Sequence, residues 1–321
     1  MQDADIRRLG GLGLVGLALV AAAAIGATRN TVTGTAIAVP VEPAPAVGDC
    51  LLTAPTGIGW DERSFGSTMT GDPPATARIG PCTGTRFGEI VAVGTVDSTV
   101  DGQFSRWTEC DEAAADYLGL PAAADRVERL WQPTYFPMTG FLWADRRQAA
   151  AGQRWAACVV TLPANDGSAG STVAVDFSLR GGWPRPQVRD RISTCVDDVG
   201  STAACGSPHR EEILAFADAM SPELTQQQLD RGCRDTAAEQ LGRADVTAGG
   251  SLTLEVVIGV QRGATERDQD PPAPADLQSA RDLDPPATYV YAQCVVRPTA
   301  ADARLVGSLR DLGDAPVPFS R

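Results

Sequence analysis

Three side chains in this sequence have the types and spacing for acid–base chemistry. His209, the sole histidine of 321 residues, follows Cys205 by four positions and precedes Glu212 by three, within ACGSPHREEI. An imidazole beside a carboxylate can act as a general base or hold a metal. Glu89 stands as far after Cys82 as Glu212 stands after Cys205, and two such acids are the equipment of glycoside hydrolysis. Against these readings, one histidine cannot build a His-rich zinc site, and it leaves a Ser-His-Asp triad a single base to draw on. The sequence shows no HExxH, GxSxG or P-loop pattern. No catalytic residue, metal site or cofactor is therefore expected. His209, Glu212 and Glu89 are kept as candidate binding residues whose first expected role is local.

The elements that would position them come from a duplication. Eight cysteines lie dispersed along the chain, with no CxxC among them. From Cys82 the sequence reads CTGTRFGEIVAVGTV, and from Cys205 it reads CGSPHREEILAFADA. Glu89-Ile90 and Glu212-Ile213 fall at matching distances, and 28 positions separate Cys82 from Cys110 and Cys205 from Cys233. Ala114, Ala115, Leu118 and Gly119 then match Ala237, Ala238, Leu241 and Gly242, and each half closes on Cys-Val-Val at Cys158 and Cys294. Two tandem repeats of four cysteines follow, over 46–162 and 188–298. Arg86 stands in repeat 1 where His209 stands in repeat 2, so the duplicated fold does not require the histidine.

Each repeat is expected to be α+β: a small antiparallel sheet with one helix across it. The apolar stretch after the second cysteine predicts a strand, the third cysteine is expected to open a short helix, and Gly119 and Gly242 cap its end. A further strand precedes the last one, which carries the fourth cysteine at its centre. An even, dispersed set of cysteines points to disulfides and an oxidising compartment. The favoured pairing is first with second and third with fourth: Cys50–Cys82, Cys110–Cys158, Cys195–Cys205 and Cys233–Cys294. Four cysteines allow two other connectivities in each repeat, and these stay open. The aromatics Trp131, Tyr135, Phe136, Phe141, Trp143 and Trp155 are expected in core or inter-repeat packing, with an exposed platform for a partner or glycan as the alternative.

Outside the repeats, residues 1–8 carry Arg7 and Arg8, and 9–27 run without a charge. Nineteen helical residues span roughly 28 Å, enough for a bilayer core, and the arginines place 1–8 in the cytoplasm. A cleaved signal peptide is the competing reading. A Pro/Ala/Thr spacer over 28–45, a linker over 163–187, an acidic proline-rich mobile loop over 262–287 and a tail over 299–321 complete the layout. The net charge of −13, with arginine as the sole cationic side chain at neutral pH, argues against nucleic-acid partners.

VGDC at 47–50, CGSPHREEI at 205–213, a helix beginning with a cysteine and a closing strand with another resemble the septum-formation domain family of actinobacterial envelope proteins, in two copies. Repeat 1 departs from that pattern at Arg86, and repeat 2 has STCV in place of VGDC. The resemblance implies a non-enzymatic, single-pass membrane protein whose C-terminal domains lie outside the cytoplasm. Its partner would be an envelope or divisome protein, with a link to septum formation. An envelope hydrolase of wall polymers and an accessory subunit of a larger membrane complex are the alternatives.

Overall fold

Two apolar octapeptides, GEIVAVGT and EEILAFAD, form the central strands of two antiparallel sheets, and around each the chain repeats one topology. The computed structural model describes residues 40–54, 78–95, 103–121, 129–135, 137–164, 172–261, 276–283 and 289–320. The anchor expected over 9–27 lies outside them, and so does most of the spacer. No helix among the described residues is long and apolar enough to cross a membrane.

Repeat 1 contains β1 (Cys50–Leu51), β2 (Ile79–Gly80), β3 (Gly88–Thr95), α1 (Gln103–Leu118), β4 (Gln132–Pro133), β5 (Met138–Trp143), α2 (Arg146–Ala150) and β6 (Trp155–Thr161). After a connecting helix α3 (Pro186–Ile192), repeat 2 contains β7 (Thr194–Val196), β8 (Thr202–Ala203), β9 (Glu211–Asp218), α4 (Gln226–Leu241), β10 (Leu252–Gln261), α5 (Leu277–Arg281) and β11 (Tyr289–Pro298). The first sheet runs β2-β1-β3-β6-β5 and the second β8-β7-β9-β11-β10, the same order strand for strand. Both central strands carry a bulge at the equivalent residue, Val91 in β3 and Leu214 in β9, where the register with β6 and β11 shifts.

The third cysteine does not open the helix. Cys110 and Cys233 sit mid-way along α1 and α4. In α4 the start is set earlier by Thr225, whose side chain accepts from the Gln228 amide while Gln228 reaches back to the Thr225 amide. That reciprocal pair satisfies donors that the first helical turn leaves free. Gly119 (φ 72°) and Gly242 (φ 66°) end both helices in the left-handed conformation that glycine adopts without strain. Leu229, Cys233, Ala237 and Leu241 form the buried stripe of α4, and Cys110, Ala114 and Leu118 that of α1. A single helix per repeat is also too few: α2 starts at an Asp145–Gln148 capping box and α5 at Asp276. The short α5 falls inside the stretch expected as a loop, with Leu277 and Ala280 buried.

The pairing is Cys50–Cys82, Cys110–Cys158, Cys195–Cys205 and Cys233–Cys294, and no described cysteine is free. The third-to-fourth bridges fasten α1 to β6 and α4 to β11.

The segments expected as linker and tail are part of the cores. Val175, Leu179 and Trp183 pack with Ala114, Leu118 and Val160 of repeat 1, while Leu305 and Leu309 pack with Leu229, Leu241 and Cys294 of repeat 2. Leu179, Leu305 and Leu309 are fully buried, each stabilising the fold by roughly 1.5–3 kcal/mol.

Residues 129–135 cross from repeat 1 into repeat 2. Strand β4 pairs with β9, extending the second sheet. Trp131 is buried in the core of repeat 2 and donates to the Leu229 carbonyl at 3.2 Å. Its ring lies over Gly232 of α4, where a Cβ would come within 2.6 Å of it. Of the remaining aromatics, Phe141 and Trp155 are buried, Trp143 is half-buried, and Phe136 lies outside the described residues.

The bridges differ in the chain they close, with separations of 61 residues for Cys233–Cys294 and 10 for Cys195–Cys205. Chain-entropy arguments give about 4 and about 3 kcal/mol for loops of these lengths. Urea unfolding of the two paired Cys→Ala variants should show the larger loss for Cys233/Cys294.

Candidate functional site

The three candidate residues are all buried: Glu89 is 1% exposed, and Glu212 and His209 are 0% exposed. Each glutamate is the second residue of its central strand and lies in its buried run, opposite the first cysteine of the repeat: Cys50 faces Glu89 and Cys195 faces Glu212. A buried carboxylate is stable only when donors replace the water it has lost.

Those donors come from the same tripeptide in both repeats, Ser178-Leu179-Arg180 and Ser308-Leu309-Arg310. Glu89 accepts from the Leu179 amide at 3.0 Å, the Ser178 hydroxyl at 3.2 Å and the Tyr117 hydroxyl at 2.7 Å. Glu212 accepts from the Leu309 amide at 2.6 Å and the Ser308 hydroxyl at 2.7 Å. Three positions before each serine, the backbone forms an antiparallel bridge, Val175 with Arg86 and Leu305 with His209. The carboxylate therefore clasps the end of its own repeat onto the central strand. Each acid serves its own repeat, and the two are not brought together as a catalytic pair.

The two clasps differ in their counter-ion. In repeat 1 it is Arg86, whose Nε lies 3.1 Å from Glu89. Arg180 instead lies over the Tyr117 ring, 4.5 Å from its centre. In repeat 2 the counter-ion is Arg310 of the tripeptide, fully buried with Nε 3.4 Å from Glu212. The Arg310 guanidinium also donates to the Thr134 carbonyl at 2.7 Å, the Leu214 carbonyl at 2.9 Å, the Ile213 carbonyl at 3.1 Å and the Gln240 side chain. It lies 4.6 Å from the ring centre of Tyr135. Since Arg310 neutralises Glu212, the position of Arg86 needs no cation in repeat 2, and His209 occupies it.

His209 makes no bond to Glu212. Its Nδ1 lies 2.8 Å from the Ser207 carbonyl, which can only accept, so Nδ1 carries the proton. Nε2 is buried and has no partner among the described residues. The Cys195 and Cys205 sulfurs and a His209 ring nitrogen lie within 4.8 Å of one another, and the Cys50 and Cys82 sulfurs with a Glu89 oxygen do the same. Both sets have the softness and reach for a transition metal. Their sulfurs are joined in disulfides, however, and offer no thiolate.

Sequence reasoning passed over the tripeptides and Arg310. The recurrence of Ser-Leu-Arg was a visible signal, although it fell in segments read as connectors. For the crossing segment the signal was its aromatics: Trp131 and Tyr135, expected in core or inter-repeat packing, lie in the core of repeat 2 and against Arg310.

Arg310 buried without its carboxylate would be an uncompensated charge. Glu212→Ala should cost about 3–5 kcal/mol, read by urea unfolding. Tyr117 supplies a second test. Burial, then the hydrogen bond to Glu89 and that carboxylate's charge, push its phenol from 10.0 up to about 12. A raised pKa means stability fully present below pH 10.0 and lost as the pH climbs through about 12. Rapid tyrosinate titration should show a component near 12 that Tyr117→Phe removes.

The chain matches no protein-family model, no curated protein and no solved structure.

Proposed function

We propose that this chain is a non-enzymatic binding or scaffold protein of the cell envelope, held by a single membrane span at 9–27. The spacer over 28–45 would carry the two repeats into the extracytoplasmic space, where they engage an envelope or divisome protein. The observation that carries the reading is the complete pairing of the described cysteines, which belongs to an oxidising compartment. The buried clasps support binding over catalysis. The donors on Glu89 and Glu212 hold loops in place, and a carboxylate poised for proton transfer needs access to substrate. The uncharged run at 9–27, with Arg7 and Arg8 before it, supports the anchor and its orientation. The link to septum formation rests on the resemblance of the VGDC and CGSPHREEI segments.

Full-length protein in intact cells tests each part. Without reductant the eight cysteines should resist alkylation, a C-terminal tag should be open to external protease, and the chain should stay with membranes after an alkaline wash. A fluorescent fusion should gather at septa, and crosslinking should retain an envelope partner there. Freely alkylated thiols would defeat the extracytoplasmic reading. Uniform membrane label without a crosslinked partner would defeat the link to division.

A further inference from the structure

His209 keeps a buried lone pair that the fold does not use. The side chain is 0% exposed, Nδ1 donates to the Ser207 carbonyl, and Nε2 meets no hydrogen-bond partner among the described residues. A buried polar atom left in that state costs free energy and calls for an explanation. The groups beside it are sulfurs. Cys195 Sγ, Cys205 Sγ and a ring nitrogen of His209 lie within 4.8 Å of one another, and both cysteines are 0% exposed.

The backbone holds these three residues in place without help from the Cys195–Cys205 bond. Cys195 lies in β7, paired with Ala203 of β8 on one side and Glu212 of β9 on the other. The Cys205 amide donates to the Asp190 carbonyl at 2.9 Å, and the Cys205 carbonyl accepts from the Gly307 amide at 2.5 Å. His209 exchanges both backbone bonds with Leu305, at 3.0 and 2.9 Å. This disulfide also closes the shortest loop of the four, so by the chain-entropy argument its loss weakens the fold least. A cleft of about 360 Å³ at the repeat junction is lined by Ala204, Gly206 and Ser207, which brings solvent to the turn on both sides of Cys205. Opening the bond leaves two thiols and an imidazole anchored around one point. Two thiolates and a neutral imidazole are a soft ligand set, suited to zinc and copper(I).

Repeat 1 supplies the contrast. Its equivalent set is Cys50, Cys82 and Glu89, and that carboxylate is already engaged by Leu179, Ser178, Tyr117 and Arg86. His209 stands where repeat 1 has Arg86, so the divergence of the copies brings an uncommitted nitrogen to the first disulfide of repeat 2.

We propose that Cys195, Cys205 and His209 form a redox-gated site for a thiophilic d10 metal ion of the zinc and copper(I) class. While the sulfurs are bonded to each other the site is closed. An external dithiol opens it: the S–S bond breaks, two electrons and two protons pass to the protein sulfurs, and the dithiol becomes a disulfide. Metal binding then displaces the two thiol protons and takes the imidazole lone pair. The site goes beyond the envelope reading and does not depend on the anchor.

The test compares full-length protein in mild detergent before and after dithiothreitol treatment, with the reductant removed anaerobically and Zn²⁺ or Cu⁺ added in competition with a chromophoric chelator. The oxidised chain should not compete. The reduced chain should hold a single ion of at least one of the two metals and keep its near-ultraviolet circular dichroism. Cys195 and Cys205 should then be alkylated more slowly by about tenfold or more, with Cys50 and Cys82 unprotected. His209→Leu keeps a buried side chain of similar size without the lone pair, and should weaken binding by about tenfold or more while the Cys195–Cys205 bond still forms. Should it fail to fold, the paired Cys195→Ala and Cys205→Ala variant carries the test and should abolish binding. A reduced chain that holds no ion or unfolds with metal present, equal protection of Cys50 and Cys82, equal binding by the oxidised chain, or binding unchanged in either variant would each overturn the proposal.

Discussion

A buried glutamate at the start of each central strand is the constraint on which the rest of the repeat depends. An ionised carboxylate out of water is costly unless donors converge on it. The amide and hydroxyl of a Ser-Leu-Arg segment from the far end of the repeat supply them. Holding that segment places its leucine, Leu179 or Leu309, in the core beneath the long helix. One polar contact thus closes an apolar layer. The disulfides act elsewhere, fastening helix to strand and first strand to the following turn, so clasp and bridges constrain different parts of the chain.

The same constraint explains how the copies have diverged. Repeat 1 balances Glu89 with Arg86 and leaves Arg180 free to stack on Tyr117, a residue of its own helix. In repeat 2 the equivalent helical residue is Gln240, which offers no ring. Tyr135 of the crossing segment supplies one, donating to Gln240 at 2.9 Å and lying against both Arg310 and Trp183. Arg310 turns inward, takes over the charge balance of Glu212 and reaches three carbonyls of the crossing segment and β9. Repeat 2 is consequently completed by residues of repeat 1, and residues 43–321 form one compact unit.

Much of this was legible in the sequence. The matched spacing of cysteines, Glu-Ile pairs and helix-capping glycines shows the duplication, because those positions are fixed by geometry that each copy must reproduce. The favoured cysteine pairing is the one observed, since neighbouring strands and a helix laid across them bring those pairs together. The segments around Leu179 and Leu309 were not legible. Val173, Val175, Phe177 and Leu179 do alternate as an additional strand and turn would, but the segment forms single bridges and turns, and around Leu309 no such alternation marks the burial, which follows from the polar anchor. The helix starts were missed because capping chemistry at Thr225 and Gln228, and not the cysteine, sets the α4 boundary.

Duplication also changes where function can reside. Within each copy the residues with the most chemical potential are consumed by the fold: glutamates in clasps, cysteines in bridges, and the histidine in a turn bonded to Ser207. Those positions are under structural constraint in either copy. The junction adds contacts that a single repeat cannot make. Helix α3, the end of repeat 1 and the first turn of repeat 2 meet there, and Asp190 of α3 accepts from the amide of Ser308, the serine of the second clasp. Val175 of the same junction bridges Arg86, so the connection between the copies is tied to the clasps of both.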